Sequence, residues 1–217
     1  LAFLLLPLAI VVPMSLTSGE ILTLPTPVWS LRWYAEFFSD ERWLRAAANS
    51  LVVGIGTMLG ATLLGTLAAC GIHFSRLKIR HGVTALLLLP MIVPVIVIAA
   101  SMNLAFSRTC LAGSLLGLTL AHIVIASPFV VVAVLAALRS FDTDLLRAAR
   151  SLGASPPRAF MTVVLPIILP AVLSGAIFAF ATSFDELVIA IFITGPGEIT
   201  LPRQMFAGIR EATSPIV

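Results

Sequence analysis

The chain has 217 residues, of which 59% are hydrophobic and only 11% are charged, against about 25% charged residues in an average soluble domain. This composition excludes a soluble globular domain. The formal net charge of +3 comes from a few clusters between long apolar runs, so the sequence does not indicate a nucleic-acid-binding surface. Cys70 and Cys110 each lie alone in or beside an apolar stretch, which fits neither a disulfide framework nor a metal site.

The first apolar run, Leu1–Met14, has no initiator Met and no basic segment ahead of it, so we expect the natural start of the protein to lie upstream. A signal peptide is the alternative, but Ser15–Glu20 lacks a small-residue cleavage site and further spans follow. Four more runs reach the roughly 20 apolar residues that a spanning helix needs: Leu44–Ile72, Gly82–Phe106, Ser114–Leu138 and Val163–Ile193. The sequence therefore predicts an all-α polytopic membrane protein with five visible spans. We expect one membrane domain over residues 1–217, truncated at both ends, with a sixth span beyond it.

The positive charges of the short loops predict the orientation in the membrane. Loop Phe74–His81 carries two arginines and a lysine with no acid, and loop Arg139–Thr162 carries four arginines, so both are predicted to be cytoplasmic. Segment Thr17–Trp43 mixes acids with bases, and turn Ser107–Gly113 holds one arginine, so both belong on the opposite side. This alternation places the N-terminus in the cytoplasm and the segment from Thr194 outside.

Small residues and prolines recur inside the spans. The pairs Gly56/Gly60 and Gly113/Gly117 have the spacing that lets helix backbones approach closely. Each proline removes a backbone hydrogen bond, and the prolines in question are Pro90, Pro94, Pro128, Pro166 and Pro170. Kinked helices of this kind form either a static bundle or a pathway lined by the kinks, and the pattern alone favours neither interpretation.

The sequence contains no conventional catalytic, metal-binding or nucleotide-binding constellation. His73 and His81 flank the first cytoplasmic loop, and His122 is alone in the fourth span, where we interpret it as a hydrogen-bonded packing residue. The segment Gly195–Glu198 lacks the Lys-Ser/Thr pair of a phosphate-binding loop. We therefore predict a protein that is not an enzyme, and whose energy source is a partner or an ion gradient.

The second cytoplasmic loop is the most specific stretch. A cap at Thr143 or Asp144 predicts a helix to Leu152, which Gly153 ends, and a second short helix is expected to begin at Ser155-Pro156-Pro157. Ala148 and Ala149 give the first helix a surface with little side-chain bulk between basic residues. A solvated loop would explain the arginines but not this surface, which favours close docking of another protein.

The spacing Ala148-Ala149-x3-Gly153-x9-Val163-x-Leu165-Pro166 resembles the EAA loop of type I ABC-importer permeases, although Arg147 stands where that pattern has Glu. The resemblance implies a type I permease fold and a coupling loop over residues 139–162. The residues that it assigns to contact with an ATPase are Arg147, Ala148, Ala149, Gly153, Ala154, Ser155, Arg158, Leu165 and Pro166.

Three further segments resemble the same permeases: Ser30–Tyr34, Asn49–Leu51 and Leu89–Pro94. Beyond the EAA-like loop, Ser183–Glu186 and Thr200–Pro202 are similar to the second permease of spermidine/putrescine importers. This similarity implies an importer of polyamines, or of related cationic or zwitterionic solutes, in the bacterial inner membrane. The implied partners are a homologous permease, two cytoplasmic ATPase subunits, an external solute-binding protein and membrane lipid. This chain would hold no cofactor, because ATP and Mg would bind to the ATPase subunits.

Asp185 and Glu186 are costly residues, because an ionised carboxylate within a span costs at least about 2.5 kcal/mol. We expect at least one of them to line the solute path, with Ser183, Asn103 and His122 as further polar candidates and Ser101 beside them. Structural hydrogen bonding or a local helix break are the alternatives. A gradient-driven secondary transporter that uses Asp185 or Glu186 as its ion site is the competing class, but it would not need the EAA-like surface.

Overall fold

The computed structural model describes residues 9–19, 29–75 and 78–211. They fall into two compact units: a terminal unit from Leu1–Ser50 with Pro196–Val217, and a central unit from Leu51–Gly195. The described residues are helical apart from loops, and they contain two isolated β-bridges and no named strand. The predicted all-α class is confirmed. Most of the first apolar run, residues 1–8, and Arg76 of the first basic loop lie outside the described residues, while residues 9–14 are helical.

In the terminal unit, helix α1 is Arg32–Ser39, helix α2 begins at Glu41, and helix α10 is Leu201–Glu211. Asn49 of α2 donates its side-chain N–H to the Ile199 carbonyl at 3.0 Å. The Ser50 hydroxyl accepts the backbone N–H of Leu201 at 2.7 Å, which caps the start of α10. Two segments that the sequence places far apart, Asn49–Leu51 and Thr200–Pro202, therefore meet.

The other helices lie in the central unit, into which α2, Glu41–Phe74, continues. They are α3 Arg80–Leu88, α4 Val95–Phe106, α5 Leu115–Arg139, α6 Thr143–Ser151, α7 Pro156–Ala159, α8 Leu165–Phe184 and α9 Val188–Ile193. Among the described residues, three helical stretches are long and apolar enough to cross a membrane: Glu41–Phe74, Leu115–Arg139 and Pro156–Phe184. A fourth span is formed if the bent pair Arg80–Met91 and Val95–Phe106 is counted as one.

Two of the predicted spans are broken, one of them at Pro90 and Pro94, where the sequence predicts kinks. The run Gly82–Phe106 bends by 96° at a 3₁₀ turn, Leu89–Met91, and α4 restarts after the extended residue Pro94. The run Val163–Ile193 divides after Phe184, where no proline is present. Pro128 and Pro170, by contrast, lie inside continuous helices.

Close helix packing follows from glycine in α2, since a Cβ at several positions would meet α5. A Cβ at Gly56 would lie 2.9 Å from the Thr119 side chain, and one at Gly65 would lie 2.7 Å from Cβ of the fully buried Val130. The prediction of close approach at Gly56/Gly60 is confirmed. Gly113 and Gly117 differ, because Gly113 lies in a turn with φ +76° and Gly117 packs against the backbone of Leu111, just before its own helix.

The loop 139–162 has the predicted pair of helices, with one correction. The cap of α6 is Asp142, whose carboxylate accepts the N–H of Asp144 at 2.9 Å, and Thr143 and Asp144 form the first turn instead. Gly153 ends the segment with φ +87°, a conformation that glycine adopts without strain. Helix α7 follows Ser155, with proline in its first turn, and a π-helical turn, Phe160–Val164, joins it to α8.

Candidate functional site

An apolar stripe that is mostly exposed runs along α6 of the loop 139–162. Leu145, Ala148, Ala149 and Leu152 recur at the i, i+3, i+4, i+7 spacing of one helix face. Leu145 is 47% exposed and Leu152 is 89% exposed. Sequence reasoning found the two alanines and missed the two leucines, although their spacing was the available signal. Arg147 lies beside the stripe and pairs with Asp144 of its own helix at 2.8 Å.

The opposite side of this loop is packed into the central unit. Leu146, Phe160 and Leu165 contact the buried cluster that includes Val130, Val134 and Ile168 of α5 and α8. Leu165 is therefore a core contact and not part of the exposed stripe.

The remaining loop candidates do not share one surface. Ala154 is half-buried, Ser155 precedes α7, and Arg158 and Pro166 are exposed. The loop thus presents one apolar face outward and is fixed through its other face.

A second group of candidate residues meets inside the central unit, where α2, α5 and α8 come together. The His122 ring nitrogen Nδ1 lies 2.8 Å from the Ser183 hydroxyl, and that hydroxyl donates to Thr57 at 3.2 Å. His122 Nε2 lies 3.7 Å from a carboxylate oxygen of Glu186. Thr57, His122 and Ser183 are buried, and the Glu186 side chain is only 10% exposed. Thr57 was missed by sequence reasoning, and its position beside Gly56 in an apolar run is the only signal there.

The two adjacent carboxylates have different surroundings. Glu186 accepts the N–H of Val188 at 3.2 Å through Oε1 and the N–H of Ile189 at 2.7 Å through Oε2, so it caps the start of α9. Asp185 is the C-cap residue of α8, and its side chain is exposed. Within the described ranges its carboxylate has no hydrogen-bond or salt-bridge partner. The chain leaves the helix between the two carboxylates, which is the local helix break that the sequence offers as an alternative.

The other end of α9 is fixed as well. Asn103 of α4 donates its side-chain N–H to the Phe192 carbonyl, and the N–H of Gly113 donates to the Ile193 carbonyl at 2.9 Å. Asn103 thus lies away from the His122 group, and the exposed Ser101 hydroxyl bonds back to its own helix at Val97. Short helix α9 is held at both ends by hydrogen bonds, which makes the break at Asp185–Leu187 a defined structural feature.

In the part of the chain that the structure describes, no group of three His, Cys, Asp or Glu residues is placed to hold a metal ion. The buried group around His122 has hydroxyls, one imidazole and one carboxylate whose bonds are internal. These contacts hold α2, α5 and α8 together next to the exposed carboxylate of Asp185. The arrangement is therefore suited to positioning a residue that binds a solute.

The family described as "Binding-protein-dependent transport system inner membrane component" matches residues 61–214. The chain is 33% identical to the putrescine transport system permease protein PotI of Escherichia coli (strain K12), covering 98% of this chain and 78% of that protein. It is 31% identical to the spermidine/putrescine transport system permease protein PotC of the same strain, covering 100% of this chain and 81% of that protein.

A solved bacterial ABC transporter involved in the import of the acidic polysaccharide alginate has the same fold. The TM-score is 0.74 at 16% identity, covering 96% of this chain and 74% of that chain. The predicted type I permease fold and the predicted permease role, without an enzymatic activity of its own, are confirmed. The chain belongs to the family of inner membrane components of binding-protein-dependent transport systems.

Proposed function

We propose that this permease subunit admits polyamines, or related cationic or zwitterionic solutes, into a bacterial cell across the inner membrane. The names of the relatives PotI and PotC support this solute class. The observation that carries the proposal is Asp185, an exposed carboxylate at a helix break beside α9. Helices α4, α8 and α9 contain no Lys or Arg that would neutralise it.

Charge sign selects the solute at such a position. A carboxylate at membrane depth costs at least about 2.5 kcal/mol, and an organic ammonium group offsets that cost by pairing with it. Glu186 is less suited to bind solute, because both of its oxygens already accept backbone N–H groups. We assign Asp185 to solute contact, and Glu186, Ser183, His122 and Asn103 to positioning the break along the same path.

The loop 139–162 is the proposed docking surface for one of two cytoplasmic ATPase subunits, which would bind the ATP and Mg. The stripe Leu145–Leu152 supports this role, because an apolar helix face on a polar loop is stabilised when a partner covers it. The remaining proposed partners are a homologous permease and an external solute-binding protein. Because Leu146 and Phe160 fix the loop to the core, closure of the ATPase subunits would move α5 and α8 with it.

The proposal is tested by uptake of radiolabelled putrescine and spermidine into proteoliposomes that contain the complete complex, with ATP inside and the binding protein outside. Asp185→Asn should lower uptake at least about tenfold, since a hydrogen bond to a charged group contributes about 1.5–3 kcal/mol. Glu36→Gln is the matched control, because Glu36 is an exposed carboxylate of α1. Unchanged uptake in Asp185→Asn, with the complex assembled, contradicts the assignment of Asp185.

A further inference from the structure

A basic cavity lies in the central unit where the ends of α2, α3 and α5 meet. Its volume is about 390 Å³. Two arginines, Arg80 and Arg139, line it together with His73 and His81. No carboxylate belongs to the described residues that line this cavity, and neither arginine has a salt bridge within the described ranges. The cavity therefore offers fixed positive charge and further N–H donors to an anion.

An apolar groove of about 240 Å³ adjoins this cavity and shares Ile72 and Arg80 with it. The groove lies between α2 and α3, and its apolar walls come from Ala68, Gly71, Val83 and Leu87. Gly71 leaves the groove open, because a Cβ built there would meet nothing within 4 Å. The basic cavity thus opens directly into an apolar groove that is suited to an acyl chain.

We propose that the cavity and the groove together bind one anionic phospholipid, with its phosphate between Arg80 and Arg139 and an acyl chain along Gly71. Basic pockets between the cytoplasmic ends of transmembrane helices are suited to anionic lipid headgroups. The loop charges predict that these helix ends lie on the cytoplasmic side, where the surface is anionic. A free phosphate ion would occupy the cavity alone, and an acidic side chain of a protein partner would leave the groove empty. Only an amphipathic anion uses both.

Native mass spectrometry of the detergent-purified complex tests the headgroup, with phosphatidylglycerol and phosphatidylcholine of matched acyl chains as probes. The double variant Arg80→Gln/Arg139→Gln should weaken phosphatidylglycerol binding about 25-fold and leave phosphatidylcholine unchanged, since each arginine near an anionic lipid contributes roughly fivefold. Arg108→Gln removes one positive charge from an exposed turn away from the cavity. The complex that carries this variant should bind both lipids as the unaltered complex does.

The groove is tested separately by Gly71→Leu, which adds side-chain bulk where a Cβ would meet open space and leaves both arginines in place. This variant should weaken binding of long-chain phosphatidylglycerol several-fold and leave binding of a short-chain analogue unchanged. Equal phosphatidylglycerol binding in the double variant and the unaltered complex would overturn the proposal. Displacement by inorganic phosphate with no effect of Gly71→Leu indicates a free-anion site, and loss of ATPase subunits with unchanged lipid binding indicates a protein interface. Either result also overturns it.

Discussion

Glu186 is predicted to stabilise the break between α8 and α9, and Glu186→Ala removes that contribution. The substitution leaves the N–H groups of Val188 and Ile189 without an acceptor, in a site where the native side chain is only 10% exposed. A hydrogen bond to a charged group contributes about 1.5–3 kcal/mol, and loss of a helix cap costs about 0.5–2 kcal/mol. Because these two figures describe partly the same bonds, we expect a loss of about 2–3 kcal/mol in the free energy of unfolding.

Thermal unfolding of the purified complex measures this loss. One kcal/mol corresponds to about 2–4 °C in Tm for a chain of this length, so Glu186→Ala should lower Tm by about 4–12 °C. Glu186→Gln keeps one side-chain oxygen and should lower Tm by about half as much. Asp185→Asn is the matched control, with the same change of charge one residue away on an exposed side chain, and its Tm should stay within about 1–2 °C. Equal Tm values for Glu186→Gln and Asp185→Asn would refute the division of roles between the two carboxylates.

Three further outcomes follow from contacts elsewhere. Leu152→Asp should abolish solute-stimulated ATPase activity in the assembled complex, because it buries an unpaired charge at the docking face. Thr143→Asp lies off the stripe and should retain this activity, and equal activities of the two variants would show that the stripe does not take part in coupling. Gly65→Ala should lower the free energy of unfolding by about 1–3 kcal/mol through its contact with Val130, in a thermal scan that shows no loss for Gly82→Ala, whose Cβ has open space. Ser50→Ala should destabilise the start of α10 by about 1 kcal/mol, because the Leu201 N–H loses its acceptor. Hydrogen exchange at the Leu201 amide should then be faster, and unchanged exchange would contradict this role of Ser50.

The pair of helices in the loop 139–162 was predictable from sequence because its signals are local. An acidic cap, a glycine with positive φ at the end of α6 and prolines at the start of α7 each act within a few residues of the feature that they specify. The cap was misassigned by one or two residues, since Asp142, Thr143 and Asp144 are all competent to cap. Propensity alone does not choose among them.

The break at Asp185–Leu187 was not predictable in the same way. Proline content predicted kinks at Pro90 and Pro94, where the structure bends, but it gave no signal after Phe184, where the helix ends. The residue that stabilises the break is Glu186, whose carboxylate accepts the N–H groups of Val188 and Ile189. The contacts among Thr57, His122 and Ser183 join residues 61 and 126 positions apart, beyond the reach of any local pattern.

The energy source of uptake distinguishes most directly between an ATP-driven importer subunit and a gradient-driven carrier. The measurement is labelled putrescine uptake into proteoliposomes containing the complex, with the binding protein outside, either with internal ATP or with an imposed proton or sodium gradient. We predict uptake that requires ATP and the ATPase subunits and that is lost in Leu152→Asp while the complex remains assembled. Uptake driven by a gradient in proteoliposomes without the ATPase subunits would contradict an ATP-driven mechanism.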